Sequence, residues 1–497
     1  MTSAARVHVG VDLGTSGLKA VALADTGEVL TEASYRYPTD RPAPGASEQD
    51  PRDWLTAARR ALADLAAQVP STSWRGVGLT GMIPTLVLTD GSGDPVAPAV
   101  TWQDARAASQ GARWLAAAGD RYPTTGQRVD GRYLVPMLLR LAEDDPSAFV
   151  RGTWLWGAKD YLYWWLTGVR ATDPSTATGV GCLALDDLTF ERQPLTRAAE
   201  LLGAPLPALP EIRSSTSAAP LSPAREADLD LPAGLPIVLG AADSVCGAAA
   251  FGVDRTPGAA AYLAGTSSVI LGTSNTPGRD PARRFLVTPM VTPDSWGLEM
   301  DLLATGAGLQ WLGGLLGRRP EEVVREADGA DPLRAPVVLP YLAPGEQGAL
   351  WDEQARGALV GLDLGHTAAD LGRGLLTGIV VESRRCLEVL AETTGQRGPV
   401  HLGGGGASAT LARDLADATG RTVVRHDAGD PSAIGAALTA YAATEDPGRR
   451  PPSTRAADVV EPRTERASLW LELERRHEDA RRRLRAEPAD RVLGLPR

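Results

Sequence analysis

The chain has 497 residues, 43% apolar and 22% charged, the balance of a soluble globular protein with a large core, which excludes the disordered, fibrous and membrane classes. Sixty-one acidic against fifty basic residues give a net charge of -11, the wrong sign for a protein that binds by neutralising nucleic-acid phosphates. Three widely spaced cysteines (Cys182, Cys246, Cys386) fit a reducing compartment better than a disulfide framework, and with no leader or apolar span in view a cytoplasmic home is expected.

The N-terminal stretch predicts a meander: VHVGVDL (7–13), a Gly-Thr-Ser turn, KAVALAD (19–25) and EVLTEASY (28–35). A helix follows, with Asp50 as N-cap, Pro51 at the first helical position, and Trp54, Leu55, Ala58, Leu62 and Leu65 at helical spacing. Strands return at VGLTG (77–81) and TLVLTD (85–90), and the tryptophans of GTWLWGAKDYLYWWLTG (152–168) read as core. The segment YLAGTSSVILGTSN (262–275) then repeats the opening plan of strand, Gly-Thr-Ser and strand. PIVLGAADSVCGAAAFGV (236–253) precedes it, and helical patterns at 306–317, 369–392 and 408–419 follow. Two similar α/β domains flanking a cleft are the simplest plan, one over 1–240 and one over 241–442. Residues 443–466 read as a polar, Pro-rich connection, and 467–486 as a charged closing helix with Leu469, Leu471 and Leu473 near its start, so that 443–497 form a tail.

A Gly-Thr-Ser turn offers backbone N–H groups and two hydroxyls to an anion. One such turn is also an ordinary hairpin. Two of them, Gly14-Thr15-Ser16 and Gly265-Thr266-Ser267, can grip a polyphosphate from both walls of a cleft. Lys19 and Lys159 are the only lysines in an Arg-dominated chain, and Lys19 fits a charge partner for that anion. In VHLGGGGAS (400–408) an apolar strand runs through Gly403–Gly406 into a helix start, a common nucleotide seat, with tight strand-to-helix packing as the alternative. Asp12 and Asp243 stand at the ends of apolar strands, where α/β folds line their clefts. Asp12, beside a phosphate turn, suits Mg²⁺, and Asp243 suits a general base; capping the following turn is the alternative for each. The five histidines are scattered singly and support neither a zinc site nor a His-based triad.

Taken in order, GVDLGTSGLKA (10–20), LGAADSVCG (239–247), YLAGTSS (262–268), LPYLAPGEQGALWDEQARGALVGL (339–362) and HLGGGGAS (401–408) resemble the FGGY family of carbohydrate kinases, nearest its xylulokinase-like members. TWQDAR (101–106), WGAKDYLYWWLTG (156–168) and TDPSTATG (172–179) add to the likeness, which runs from about residue 7 to about residue 442. The resemblance implies two actin-like, ribonuclease-H-like domains that close over ATP, Mg²⁺ and a small carbohydrate. It implies phosphorylation of a pentulose, with a polyol or an aldonate as alternative acceptor, and a nucleotide- or sugar-binding relative without turnover as the alternative from another class. No nucleic-acid or membrane partner is implied, and a homodimer stays open.

Carried over by position, the resemblance gives Asp12 to the metal and Asp243 to catalysis. It gives Gly14, Thr15, Ser16, Lys19, Gly265, Thr266, Gly306, Gln310, Gly404, Gly405 and Ser408 to the nucleotide, and Ile83, Pro84, Asp104, Arg132, Asp243 and Ser244 to the acceptor. The departures fall mostly on the sugar side. Met82-Ile83-Pro84-Thr85 stands where the family usually has Gln-Met-His-Gly, so Pro84 replaces a sugar-contacting histidine. Ser244 follows the base where Asn is typical, Arg132 stands where an aromatic is frequent, and GEQ at 345–347 replaces GER. An arginine beside the sugar could receive a carboxylate, as in an aldonate.

Overall fold

The computed structural model describes residues 6–343, 346–352, 354–426, 429–446, 454 and 456–486. The run VHVGVDL forms the strand Val7–Leu13, buried along its whole length. It pairs antiparallel with Gly17–Ala24 and parallel with Trp74–Gly81. A strand covered on both faces needs an unbroken apolar run rather than alternation, which is what this segment supplies. The full sheet runs in the order Ala218–Pro220, Pro236–Ala242, Trp74–Gly81, Val7–Leu13, Gly17–Ala24, Val29–Arg36. The helix Pro51–Gln68 covers it with Trp54, Ala58, Leu62 and Leu65, and the Asp50 side chain caps it by accepting from the Arg52 amide.

A second sheet runs in the order Leu286–Pro289, Trp296–Leu302, Ser268–Ser274, Ala260–Ala264, Val400–Gly403, Val423–His426, Ala456–Val460. Ala260–Ala264 pairs antiparallel with the strand after its Gly-Thr-Ser turn and parallel with Val400–Gly403. Val7–Leu13 has the same two neighbours in the first sheet, so the repeated tripeptide marks a repeated topology.

Between the sheets lie two paired helices, Asp243–Ala250 and Pro431–Thr444. Their pairing is close: a Cβ at Gly435 would sit 1.7 Å from the Cys246 carbonyl oxygen. One apolar cluster takes Val21 from the first sheet, Ala261 and Leu271 from the second, and Val245 and Ile434 from the two helices.

The expected C-terminal helices are present as Gly306–Leu316, Ala368–Thr394 and Ala409–Thr419. Trp156 and Trp165 are buried, as core tryptophans should be. The segment expected to be a connection contains a strand, Ala456–Val460, paired antiparallel with Val423–His426. Most of that strand is exposed, so the backbone ladder defines it and no hydrophobic pattern announced it. The closing helix Ala467–Ala486 docks through Trp470 and Leu473, whereas Leu471 is 56% exposed. Residues 447–453, 455 and 487–497 of the tail, and Gly345 of the GEQ segment, lie outside the described residues. No described helix is long and apolar enough to cross a membrane.

Candidate active site

Both Gly-Thr-Ser turns open onto one cleft of about 560 Å³ between the halves. In the first, the Gly14 amide donates to the Gly17 carbonyl at 3.1 Å; in the second, the Gly265 amide donates to the Ser267 carbonyl at 2.9 Å. The amides of Thr15, Ser16, Thr266 and Ser267 are not used in the turns' own bonds. The first turn is braced from outside: Tyr37 Oη donates to the Gly14 carbonyl, Gln49 Nε2 to the Thr15 carbonyl at 2.7 Å, and Trp102 Nε1 to Thr15 Oγ1 at 2.9 Å. Gly404 and Gly405 line the same cleft, where the loop after Val400–Gly403 lies against Ala264 and the Gly406 amide donates to the Ala264 carbonyl at 3.0 Å.

The cleft is acidic. Asp12, the penultimate residue of its strand, is only 7% exposed, and its Oδ1 is buried with no hydrogen-bond partner among the described residues. Burial first, then the charges of Asp430 and Asp243, hold its pKa well above the usual carboxylate range. Lys19 Nζ donates to Asp430 Oδ2 at 2.7 Å, so the lysine singled out in the sequence comes with an aspartate that was not. Asp243 is the first residue of its helix, and its Oδ1 accepts from the Ser244 amide at 2.9 Å. Burial, with Asp301 and Asp430 adding repulsion, pushes Asp243 up to about 7. On the strand Trp296–Leu302, Glu299 is raised to about 8 and Asp301 to about 6, each chiefly by burial.

A model of the FGGY N-terminal domain matches residues 7–252, and one of the FGGY C-terminal domain matches 260–444. The chain belongs to the FGGY family of carbohydrate kinases. ATP is the phosphoryl donor in this family, and the chain is an ATP-dependent carbohydrate kinase. This kinase is 30% identical to the xylulose kinase of Escherichia coli K12 over 88% of its own length and 90% of the relative's. Among solved structures it resembles a xylulose kinase from Rhodospirillum rubrum, with a TM-score of 0.84, 27% identity and coverage of 97% and 99% of the two chains. A gluconate kinase from Lactobacillus acidophilus shares the fold, with a TM-score of 0.85 at 23% identity and coverage of 97% and 98%.

The kinase's cleft brings together most of the residues singled out in its sequence: Asp12, Gly14, Thr15, Ser16, Lys19, Ile83, Pro84, Arg132, Asp243, Ser244, Gly265, Thr266, Gly404 and Gly405. Four others lie off its wall. Asp104 is buried and spent on structure, accepting from the Ser47 amide at 2.9 Å and from the Arg106 guanidinium. Ser408 caps the helix Ala409–Thr419 by accepting from the Leu411 amide. Gln310 is exposed on its helix. Gly306 packs beneath the second Gly-Thr-Ser turn, where a Cβ would come within 2.2 Å of the Gly265 carbonyl oxygen.

Cleft residues that sequence reasoning missed include Trp102, Gln127, Glu299, Asp301 and Asp430. The segment around Gln127 crosses to the other half, with Gln127 Nε2 donating to the Val287 carbonyl at 2.8 Å. Only Asp430 carried a local signal, as the N-cap before Pro431, and that signal points to a helix start rather than to a cleft.

Proposed function

We propose that the kinase moves the γ-phosphoryl group of ATP to a hydroxyl of a small carbohydrate, a pentulose first, with Asp243 as general base. The carrying observation is Asp243 itself, a partly buried carboxyl raised to about 7 in a cleft that both Gly-Thr-Ser turns share. Its Oδ1 is occupied by the Ser244 amide, which leaves Oδ2 to take a proton from an acceptor hydroxyl. The deprotonating oxygen attacks the γ-phosphorus, the bond to the β,γ-bridging oxygen breaks, and ADP leaves. The free amides of the two turns aim partial positive charge at phosphate oxygens, and Lys19 adds a full charge at the same wall.

Asp12 fits a hard divalent cation. Its orphaned Oδ1 and the neighbouring Asp430 and Asp243 make an environment that Mg²⁺ would relieve. When bound, Mg²⁺ spreads the charge of the phosphates. No set of three or more His, Cys, Asp or Glu side chains among the described residues forms a metal cage, in keeping with an ion that draws most of its ligands from phosphate and water. The likeness to a xylulose kinase supports the pentulose, while Pro84, which lines the cleft without a side-chain donor or acceptor, removes one polar contact from that acceptor. The test is ADP release across pentuloses, polyols and aldonates. ADP formation that rises with one neutral sugar supports the reading, and release indifferent to every acceptor overturns it.

A further inference from the structure

Glu299 and Asp301 stand two residues apart on the strand Trp296–Leu302, so their side chains leave the same face of the sheet. Both line the cleft with Asp243. Glu299 Oε2 accepts a 2.9 Å hydrogen bond from the hydroxyl of Ser244, the residue that follows Asp243 in the chain. Asp301 accepts no side-chain hydrogen bond among the described residues and senses Arg132 through space. The neighbouring cations are already engaged. Arg132 Nε donates to both oxygens of Asp130, at 3.1 and 2.9 Å, and its terminal nitrogen adds a further bond to the same carboxylate. Arg128 lies over the Trp351 ring, 4.7 Å from its centroid, and donates to the Arg283 carbonyl. With its Nε–Nη2 edge held by the Asp130 carboxylate, Arg132 is weakened as a receiver for a substrate carboxylate. Beside Asp243 the cleft wall carries two more carboxyls.

We propose that Glu299 and Asp301 select the acceptor: their oxygens hydrogen-bond the hydroxyls of an uncharged ketose or polyol, and the negative charge of Asp301 excludes an acceptor that bears a carboxylate. The inference rests on the phosphoryl-transfer reading above and narrows its substrate class. Two mechanisms work together. An acceptor-only carboxylate rewards O–H donors, and juxtaposed like charges penalise an anion. Burial raises both groups, Glu299 to about 8 and Asp301 to about 6, so at neutral pH the charge of the wall rests on Asp301 while Glu299 acts through its hydrogen-bonding oxygens.

The experiment compares kcat/KM for a pentitol or pentulose with that for a pentonate of the same carbon count, in the wild type, in Glu299→Gln, in Asp301→Asn and in the double variant. The wild type is expected to favour the neutral acceptor. In the double variant the neutral-to-anionic ratio is expected to fall by about tenfold or more, because an amide can donate to a carboxylate and carries no charge. ADP affinity by calorimetry reports an intact fold; if the double variant loses it, the two isosteric single variants give the ratio. A pentonate used as well as the neutral acceptor, or a ratio unmoved in a variant that binds ADP, overturns the inference and leaves the kinase reading standing. ADP formation that no acceptor stimulates overturns both.

Discussion

The ammonium of Lys159 lies 3.1 Å from the carboxylate of Asp173, both sealed from solvent beneath the strand that delivers Asp243. Lys159 also donates to Asp160 at 2.9 Å and to the Leu239 carbonyl at 3.1 Å. Asp173 in turn accepts from the Ser175 hydroxyl, whose oxygen accepts from the Ala242 amide at 2.8 Å, one residue before Asp243. Burial alone would lower the lysine's pKa, and the two carboxylates outweigh it. Lys159→Met would strand both aspartates, and unpairing a buried charge typically costs about 3–5 kcal/mol. Chemical denaturation should show a loss of that order. A loss below about 1 kcal/mol would mean that the network contributes little.

Asp243→Asn should lower turnover by about 10²–10⁴-fold while ADP binding by calorimetry stays near wild type, because the amide keeps the shape and cannot accept the hydroxyl proton. Wild-type kcat in this variant would remove Asp243 from the chemistry.

The same carboxyl sets a pH limb. With Asp243 raised to about 7 and faced by Asp301, Asp430 and Glu299, the base is progressively protonated as pH falls through neutrality. kcat/KM should therefore decline with unit slope below about pH 7. A profile flat down to about pH 5 would contradict the raised pKa.

Stability should run the other way at Glu299. A carboxyl whose folded pKa lies above its unfolded value loses native stability progressively as pH rises from the unfolded value to the folded one, here about 8, where the loss is complete. Glu299→Gln should then raise Tm above about pH 8, with the gain shrinking toward about pH 4, as thermal melts across that range would show. A gain independent of pH would point to packing instead.

Gly306 and Gly314 share one helix and predict opposite outcomes. A methyl at Gly306 collides with the Gly265 carbonyl, so Gly306→Ala should displace the second phosphate turn and weaken nucleotide binding severalfold or more. Nothing lies within 4 Å of a Cβ at Gly314, and Gly314→Ala should stabilise by up to about 1 kcal/mol through helix propensity. Equal nucleotide affinity in the two variants would break the proposed link between helix and turn.

How much the sequence discloses depends on where the signal resides. The two turns, Asp12 and Asp243 were legible because strand, turn and carboxyl are contiguous, and the doubled tripeptide disclosed a doubled sheet. Glu299 and Asp301 were not. In WGLEMDL they alternate with apolar residues, the pattern of a strand with one wet face, and only the fold turns that face toward the cleft. Asp104 shows the opposite case: carried over from the family-like TWQDAR segment as an acceptor contact, it accepts instead from Arg106 two residues on, a pairing that the segment's sequence does not announce.

The two central helices are exchanged between the halves. Pro431–Thr444, from the second matched segment, packs on the first sheet, where its backbone approaches Gly10 and Gly78 so closely that a Cβ at either would come within 1.8 or 2.0 Å of a helix carbonyl. Asp243–Ala250, from the first segment, reaches the second sheet through Ala260–Ala264. Neither half owns all of its core, so severing the chain near residue 255 should yield fragments that each expose an apolar sheet face and recover solubility only when expressed together.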